Sequence, residues 1–94
     1  MLAMEMGPDG AVVVTGRLDA AQAASAQAFL DNIQGVATLD CRGLEYISSA
    51  GLGVIMEMYK RLRGRGHALR LANLSPHVRN VFRYSGLDRV IEIE

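Results

Sequence analysis

The stretch Leu39-Asp40-Cys41-Arg42-Gly43-Leu44-Glu45-Tyr46-Ile47-Ser48-Ser49-Ala50-Gly51-Leu52-Gly53-Val54-Ile55 decides how the rest of the chain is read. It opens as the end of a short apolar strand, Val36–Leu39, and passes a polar corner at Asp40–Gly43. Tyr46-Ile47 then leads into a run of small residues. From Ser48 the spacing predicts a helix to about Arg63, stopped by Gly64 and Gly66. At about 100° per residue, Leu52, Ile55, Met56, Tyr59 and Leu62 form its core stripe. Val54 and Met58 widen the apolar arc to roughly 200°, with Glu57, Lys60 and Arg61 on the polar side. Such an arc has two readings: Val54 and Met58 are exposed for partner docking, or neighbouring loops cover them.

Strand and helix signals alternate on both sides of this segment. Met1–Met6 alternates weakly, and Gly7-Pro8-Asp9-Gly10 is a turn. The β-branched run Ala11–Gly16 reads as a strand buried on both faces, so a hairpin opens the chain. Asp19 can cap a helix over Ala20–Ile33, with Ala23, Ala26, Leu30 and Ile33 at helical spacing and an end near Gly35. Downstream, Ala68–Leu71 is a strand, and Ser75-Pro76 starts a helix over 76–84 that stops at Gly86. Val90–Ile93 is a last short strand. The order β-β-α-β-α-β-α-β implies an α/β fold with a mixed, mostly parallel sheet of four to five strands.

Length and composition bound the rest. Ninety-four residues, half of them apolar and 21% charged, make one globular domain over residues 1–94. No apolar run approaches the roughly 18–20 residues that span a bilayer, and the N-terminus lacks a basic n-region, so a cytoplasmic chain is expected. The single cysteine, Cys41, rules out an internal disulfide and a cysteine-based zinc cage. Residues 1–57 hold two arginines against seven acids. Residues 58–91 hold Lys60 and seven arginines against Asp88 alone. The cations Lys60, Arg61, Arg63 and Arg65 end a helix, where they complement its dipole. No nucleic-acid motif or aromatic platform accompanies them. No heptad or second apolar stripe points to self-association, so the free chain is expected to be a monomer.

Ser48-Ser49-Ala50-Gly51 carries the chemistry. A helix N-terminus has unpaired N–H groups and about half a positive charge, so it accepts anions. A phosphorylated serine there adds about −1.5 to −2 charges. Ala50, Gly51 and Gly53 leave the backbone open to a close partner surface. The alternative is structural: Ser48 caps the helix, Ser49 is a tolerated first-turn residue, and the glycines allow tight packing. Catalysis lacks support, because Ser49 stands in no Gly-x-Ser-x-Gly elbow and neither His67 nor His77 is paired with it by sequence. No phosphate loop is present.

The same stretch, 39–55, resembles the signature of the STAS domain, and in particular that of the bacterial anti-sigma factor antagonists. In that pattern a strand ends in an acid, and Asp-Ser-(Ser/Thr/Ala)-Gly-Leu-Gly opens a helix. Gly16-Arg17-Leu18-Asp19 resembles the family's Gly-x-Leu-Asp corner, and Val78–Val90 resembles its closing helix and Gly-Leu-Asp turn. The resemblance implies a STAS-like domain with helices packed mainly on one face of the sheet. It implies no catalysis and no cofactor on this chain. The expected partners are an anti-sigma factor with serine kinase activity, which holds ATP-Mg, and a phosphatase acting on phosphoserine; no direct nucleic-acid or membrane contact is expected. The phospho-acceptor falls on Ser49, with Ser48, which stands where the family often has Asp, as the alternative. Asp19, Ser48, Ser49, Ala50, Gly51, Leu52, Val54 and Met58 are the implied partner-binding residues. A STAS interaction module without a phosphate cycle is the other reading, as a subunit of a lipid-transport ATPase complex or a stress-sensing scaffold.

Overall fold

The computed structural model describes residues 1–35 and 37–94. Its strands are β1 (Leu2–Met6), β2 (Val12–Leu18), β3 (Ala37–Ile47), β4 (Leu69–Ala72) and β5 (Glu92–Ile93). Its helices are α1 (Ala23–Leu30), α2 (Ser49–Gly64) and α3 (Pro76–Ser85), with a 3-10 turn at Leu87–Arg89. The sheet runs β1-β2-β3-β4-β5. β1 and β2 form the antiparallel hairpin, and every later pairing is parallel. The fold is therefore the expected α/β domain opening on a hairpin. Its turn is closed by Gly7 N donating to Ala11 O at 2.7 Å, with Gly10 at φ +85°.

All three helices contribute to one apolar cluster with one face of the sheet. Val12, Val14, Leu39, Cys41, Leu69 and Leu71 point into it and meet Ala26 and Leu30 of α1, Val54 to Leu62 of α2, and Val78 and Phe82 of α3. No polar or charged residue is buried among the described residues. Because helices cover one side only, β2 is not buried on both faces: Val13 is half-buried and Thr15 exposed.

β3 differs most from the sequence reading. The corner expected at Asp40–Gly43 lies inside an eleven-residue strand, whose expected first residue, Val36, falls outside the described residues. The register against β2 jumps from Val13↔Asp40 to Thr15↔Gly43, and from Gly16↔Leu44 to Arg17↔Tyr46. Each jump is a bulge with one extra residue on β3. Inward residues therefore fall at 37, 39, 41, 44 and 47, so strict alternation is lost where the strand continues. Asp40 steadies the first bulge: its Oδ1 accepts from Asn73 Nδ2 at 3.0 Å and Arg42 N at 3.1 Å. The Asn73 and Arg42 hydrogen bonds hold its carboxyl below the usual range.

α1 is shorter than the expected Ala20–Ile33. Residues 20–22 form a turn in which Gln22 N donates to Asp19 O and, at 3.3 Å, to Asp19 Oδ1. At the other end Arg61 of α2 intervenes. Its Nη1 donates to Ile33 O and its Nη2 to Leu30 O, both at 2.7 Å. The guanidinium caps the carbonyl end of α1, a role beyond complementing its own helix. After the 3-10 turn, Val90 N and Ile91 N both donate to Leu87 O, which leaves the last strand only two residues long.

Replacing Arg61 by Ala is expected to cost about 2 kcal/mol, a fall in Tm of roughly 10 °C by differential scanning calorimetry. Lysine recovers only part of this, because it lacks the planar fork. Burial, aided by the negative charge of Asp40, pushes the Cys41 thiol up from 9.0 to about 12. An unfolded chain ionises this thiol near 9.0 and the folded one keeps its proton. The contribution is thus intact below pH 9 and is lost as pH rises toward 12. The stability gap between wild type and Cys41→Ala in urea titrations should narrow progressively above that lower value.

Candidate functional site

Three pieces of backbone converge where β2 and β3 end. Leu18 pairs with Ile47 as the last rung of the parallel ladder, and Asp19 and Ser48 follow. The Leu18 carbonyl accepts from Ser48 N at 3.0 Å, with Ser48 Oγ at 3.5 Å. Ser48 is extended (φ −92°, ψ 175°), and its Oγ accepts from Gly51 N at 3.2 Å. Leu52 N then donates to Ser48 O at 2.9 Å, the first intrahelical bond. Ser48 is thus a working N-cap of α2.

Gly51 fixes how that first turn sits. A Cβ there would stand 2.6 Å from the Leu18 carbonyl oxygen and 2.8 Å from side-chain carbons of Leu18 and Ile47. Only glycine lets the helix rest so closely on the end of β2. The contact turns Gly51, Val54, Ile55, Met58 and Leu62 toward the sheet. Ser49 faces solvent at the first helical position, and Ala50 beside it is half-buried.

This phasing corrects part of the expected docking surface. Val54 is 6% exposed and Met58 fully buried, so neither presents itself to a partner, and Gly51 is spent on the internal contact. The apolar arc is wide, as expected, but its sheet-facing centre lies elsewhere. Met56 and Tyr59, read as core, and Leu52, read both as core and as partner-binding, are half-buried along the outer flank of α2. Gly53, four residues after Ser49 on the same face, meets open space. Gly53 stays open as expected, whereas Met56 and Tyr59 are surface that the sequence reading does not identify; the signal that points to them is the glycine in the first turn.

The electrostatics of this end are simple. α2 has no acid in its first turn and carries Arg61 and Arg63 in its last. Its N-terminal dipole faces Ser49 without a competing carboxylate on the same turn. Asp19 lies on the same rim, half-buried, and its carboxylate caps the turn before α1. Among the described residues, the Ser49 hydroxyl makes no hydrogen bond, while that of Ser48 is engaged. His67 follows the far end of α2, about 24 Å away along the axis, and is no partner for Ser49.

Residues 3–92 match the family model described as Mlab, STAS domain. The sequence is 33% identical over 87 residues to the anti-sigma-B factor antagonist of Listeria monocytogenes, covering 88% of this chain and 76% of that protein. It is 52% identical over 48 residues to BtrV of Bordetella bronchiseptica, a match over 51% of this chain that spans only 41% of BtrV. In three dimensions it resembles SpoIIAA of Bacillus in the phosphorylated form, with a TM-score of 0.70 and 23% identity over 100% of this chain and 91% of that one. At that identity the likeness speaks to the fold.

The two serines separate by stability. Ser48→Ala should cost about 1 kcal/mol through the lost cap. Ser49→Ala should stay within about 0.5 kcal/mol. Gly51→Ala should cost the most, about 3 kcal/mol, because backbone blocks the added methyl. Chemical denaturation of the three variants checks this order.

Proposed function

The chain belongs to the STAS domain family, alongside anti-sigma factor antagonists, and on that premise we propose that it is itself an anti-sigma factor antagonist switched at Ser49. In its unphosphorylated form it captures an anti-sigma factor that is also a serine kinase, and so frees a sigma factor. The reading places it in the cytoplasm, without catalysis of its own. The observation that carries it is the solvent-facing, unengaged Ser49 hydroxyl at the first position of α2, beside the half-exposed ridge of Leu52, Met56 and Tyr59. Ser48 is the weaker acceptor, because its oxygen already caps the helix and a phosphate there would break that bond.

Phosphoryl transfer is the partner's chemistry. The Ser49 oxygen attacks the γ-phosphorus of ATP-Mg held by the kinase, the bond to the bridging oxygen breaks, and ADP leaves. The hydroxyl proton passes to a base of the kinase. The phosphate then meets N–H groups of α2 on its own chain while adding about −1.5 to −2 charges to an apolar docking face. Desolvating that charge against a partner weakens the complex, and a phosphatase restores it.

Titration calorimetry against the host's anti-sigma factor kinase is the direct test. Wild type and Ser49→Ala should bind alike, whereas Ser49→Asp should bind at least about 100-fold more weakly, or about 2.7 kcal/mol. With Mg-ATP, phosphopeptide mapping should place the modification on Ser49 in wild type and find none in Ser49→Ala. Equal binding by Ser49→Asp would favour a STAS module without a phosphate cycle.

A further inference from the structure

The two edges of the sheet are unlike. β5 is two residues long, and Arg70 Nε meets Glu92 Oε2 across its pairing with β4 at 3.0 Å. β1 is five residues long, pairs with β2 without a register shift, and contains neither proline nor lysine. Its outer row of N–H and C=O groups has no strand beside it, a template that natural edges usually blunt. Two of the large apolar side chains most open to solvent stand at its ends, Met1 just before it at 93% and Met6, its last residue, at 56% exposure. On the helix side of β1, a groove of about 140 Å³ is lined by Leu2, Met4, Ala26 and Phe29, with Ser25 at its rim. On the open side the small Ala3 borders a shallow cleft of about 360 Å³ with Thr15, Arg17 and Glu45 on its walls.

We propose that β1 pairs with the β1 of a second copy of this chain, antiparallel about Met4, joining the two five-stranded sheets edge to edge. This register pairs all five residues and is self-complementary. Met4 faces Met4 and Leu2 faces Met6, so the paired side chains on the helix side of the seam are all apolar and adjoin the groove. On the open side Glu5 of each copy faces Ala3 of the other and lands at the cleft. There Arg17, stacked on the Tyr46 ring at 4.3 Å, has no carboxylate within ion-pairing distance among the described residues. Glu45 lines the same cleft. The two Glu5 side chains stand diagonally, about 7–8 Å apart, and not opposite each other. Five paired residues and one groove bury less than the roughly 800 Å² per partner of a stable complex, so association is weak, with Kd on the order of 100 µM. The contact runs through backbone and not through a heptad, the signal whose absence suggested a monomer.

Sedimentation velocity on the unmodified chain, from about 5 µM to about 500 µM, reads this directly. The weight-average mass should climb from 10.2 kDa toward twice that value. Met6→Lys should raise the concentration needed at least tenfold. Under mild oxidation Met4→Cys should cross-link to itself, whereas Glu92→Cys on β5 should not, and the buried Cys41 stays silent. A constant mass across the range, as when β1 serves a different protein's strand, would overturn the proposal. So would equal cross-linking at both positions.

Discussion

The constraint that orients α2 is its seat on the end of β2. Gly51 lies against the Leu18 carbonyl where no side chain fits, and Ser48 bonds that same carbonyl while capping the helix. Two backbones meet without side chains between them, so the helix has one rotational setting about its axis. That setting places five residues of α2 in the core and Ser49 in solvent. The face that carries Ser49 is thus a by-product of a packing contact on the opposite side of the same turn.

α2 is held at its other end too. Arg61 reaches the last carbonyls of α1 through both guanidinium nitrogens, so the helix is pinned to β2 at its start and to α1 near its finish. Between these points its inner stripe is fully packed, with Met58 and Leu62 sealed from solvent. A serine on so fixed a support is presented in one orientation. The serine and its apolar flank stay in register with each other, as recognition by one protein surface requires.

Much of this is legible from residues alone, and the failures have identifiable causes. Element order, the hairpin, the α2 cap and the Ser75-Pro76 start of α3 follow from turn chemistry and capping, which act within a few residues. The interior of β3 is not legible, because two bulges stretch the spacing of inward residues from two to three and make Asp40–Gly43 look like a corner. The phase of α2 is hidden by its breadth: an apolar arc near 200° does not disclose which part faces the sheet, and a contact thirty-three residues away in sequence decides it. α1 loses its ends to a turn at Asp19 and to a guanidinium from another helix, neither of which helix propensity registers.

The interior contains no buried polar or charged residue among those described. Nothing inside the core demands a particular partner atom, so Val, Ile, Leu and Met can trade places there for less than about 1.5 kcal/mol where volume is kept. The demanding positions are glycines: Gly16, held at φ +97° against the Met1 carbonyl, Gly51 under α2, and Gly43, where a Cβ would press on Thr15. A fold specified this way tolerates extensive sequence drift while keeping its shape. Likeness to SpoIIAA at 23% identity is the outcome such an interior permits. The outer flank of α2, half-exposed at Leu52, Met56 and Tyr59, bears none of these packing demands, so its side chains can change without disturbing the fold beneath them.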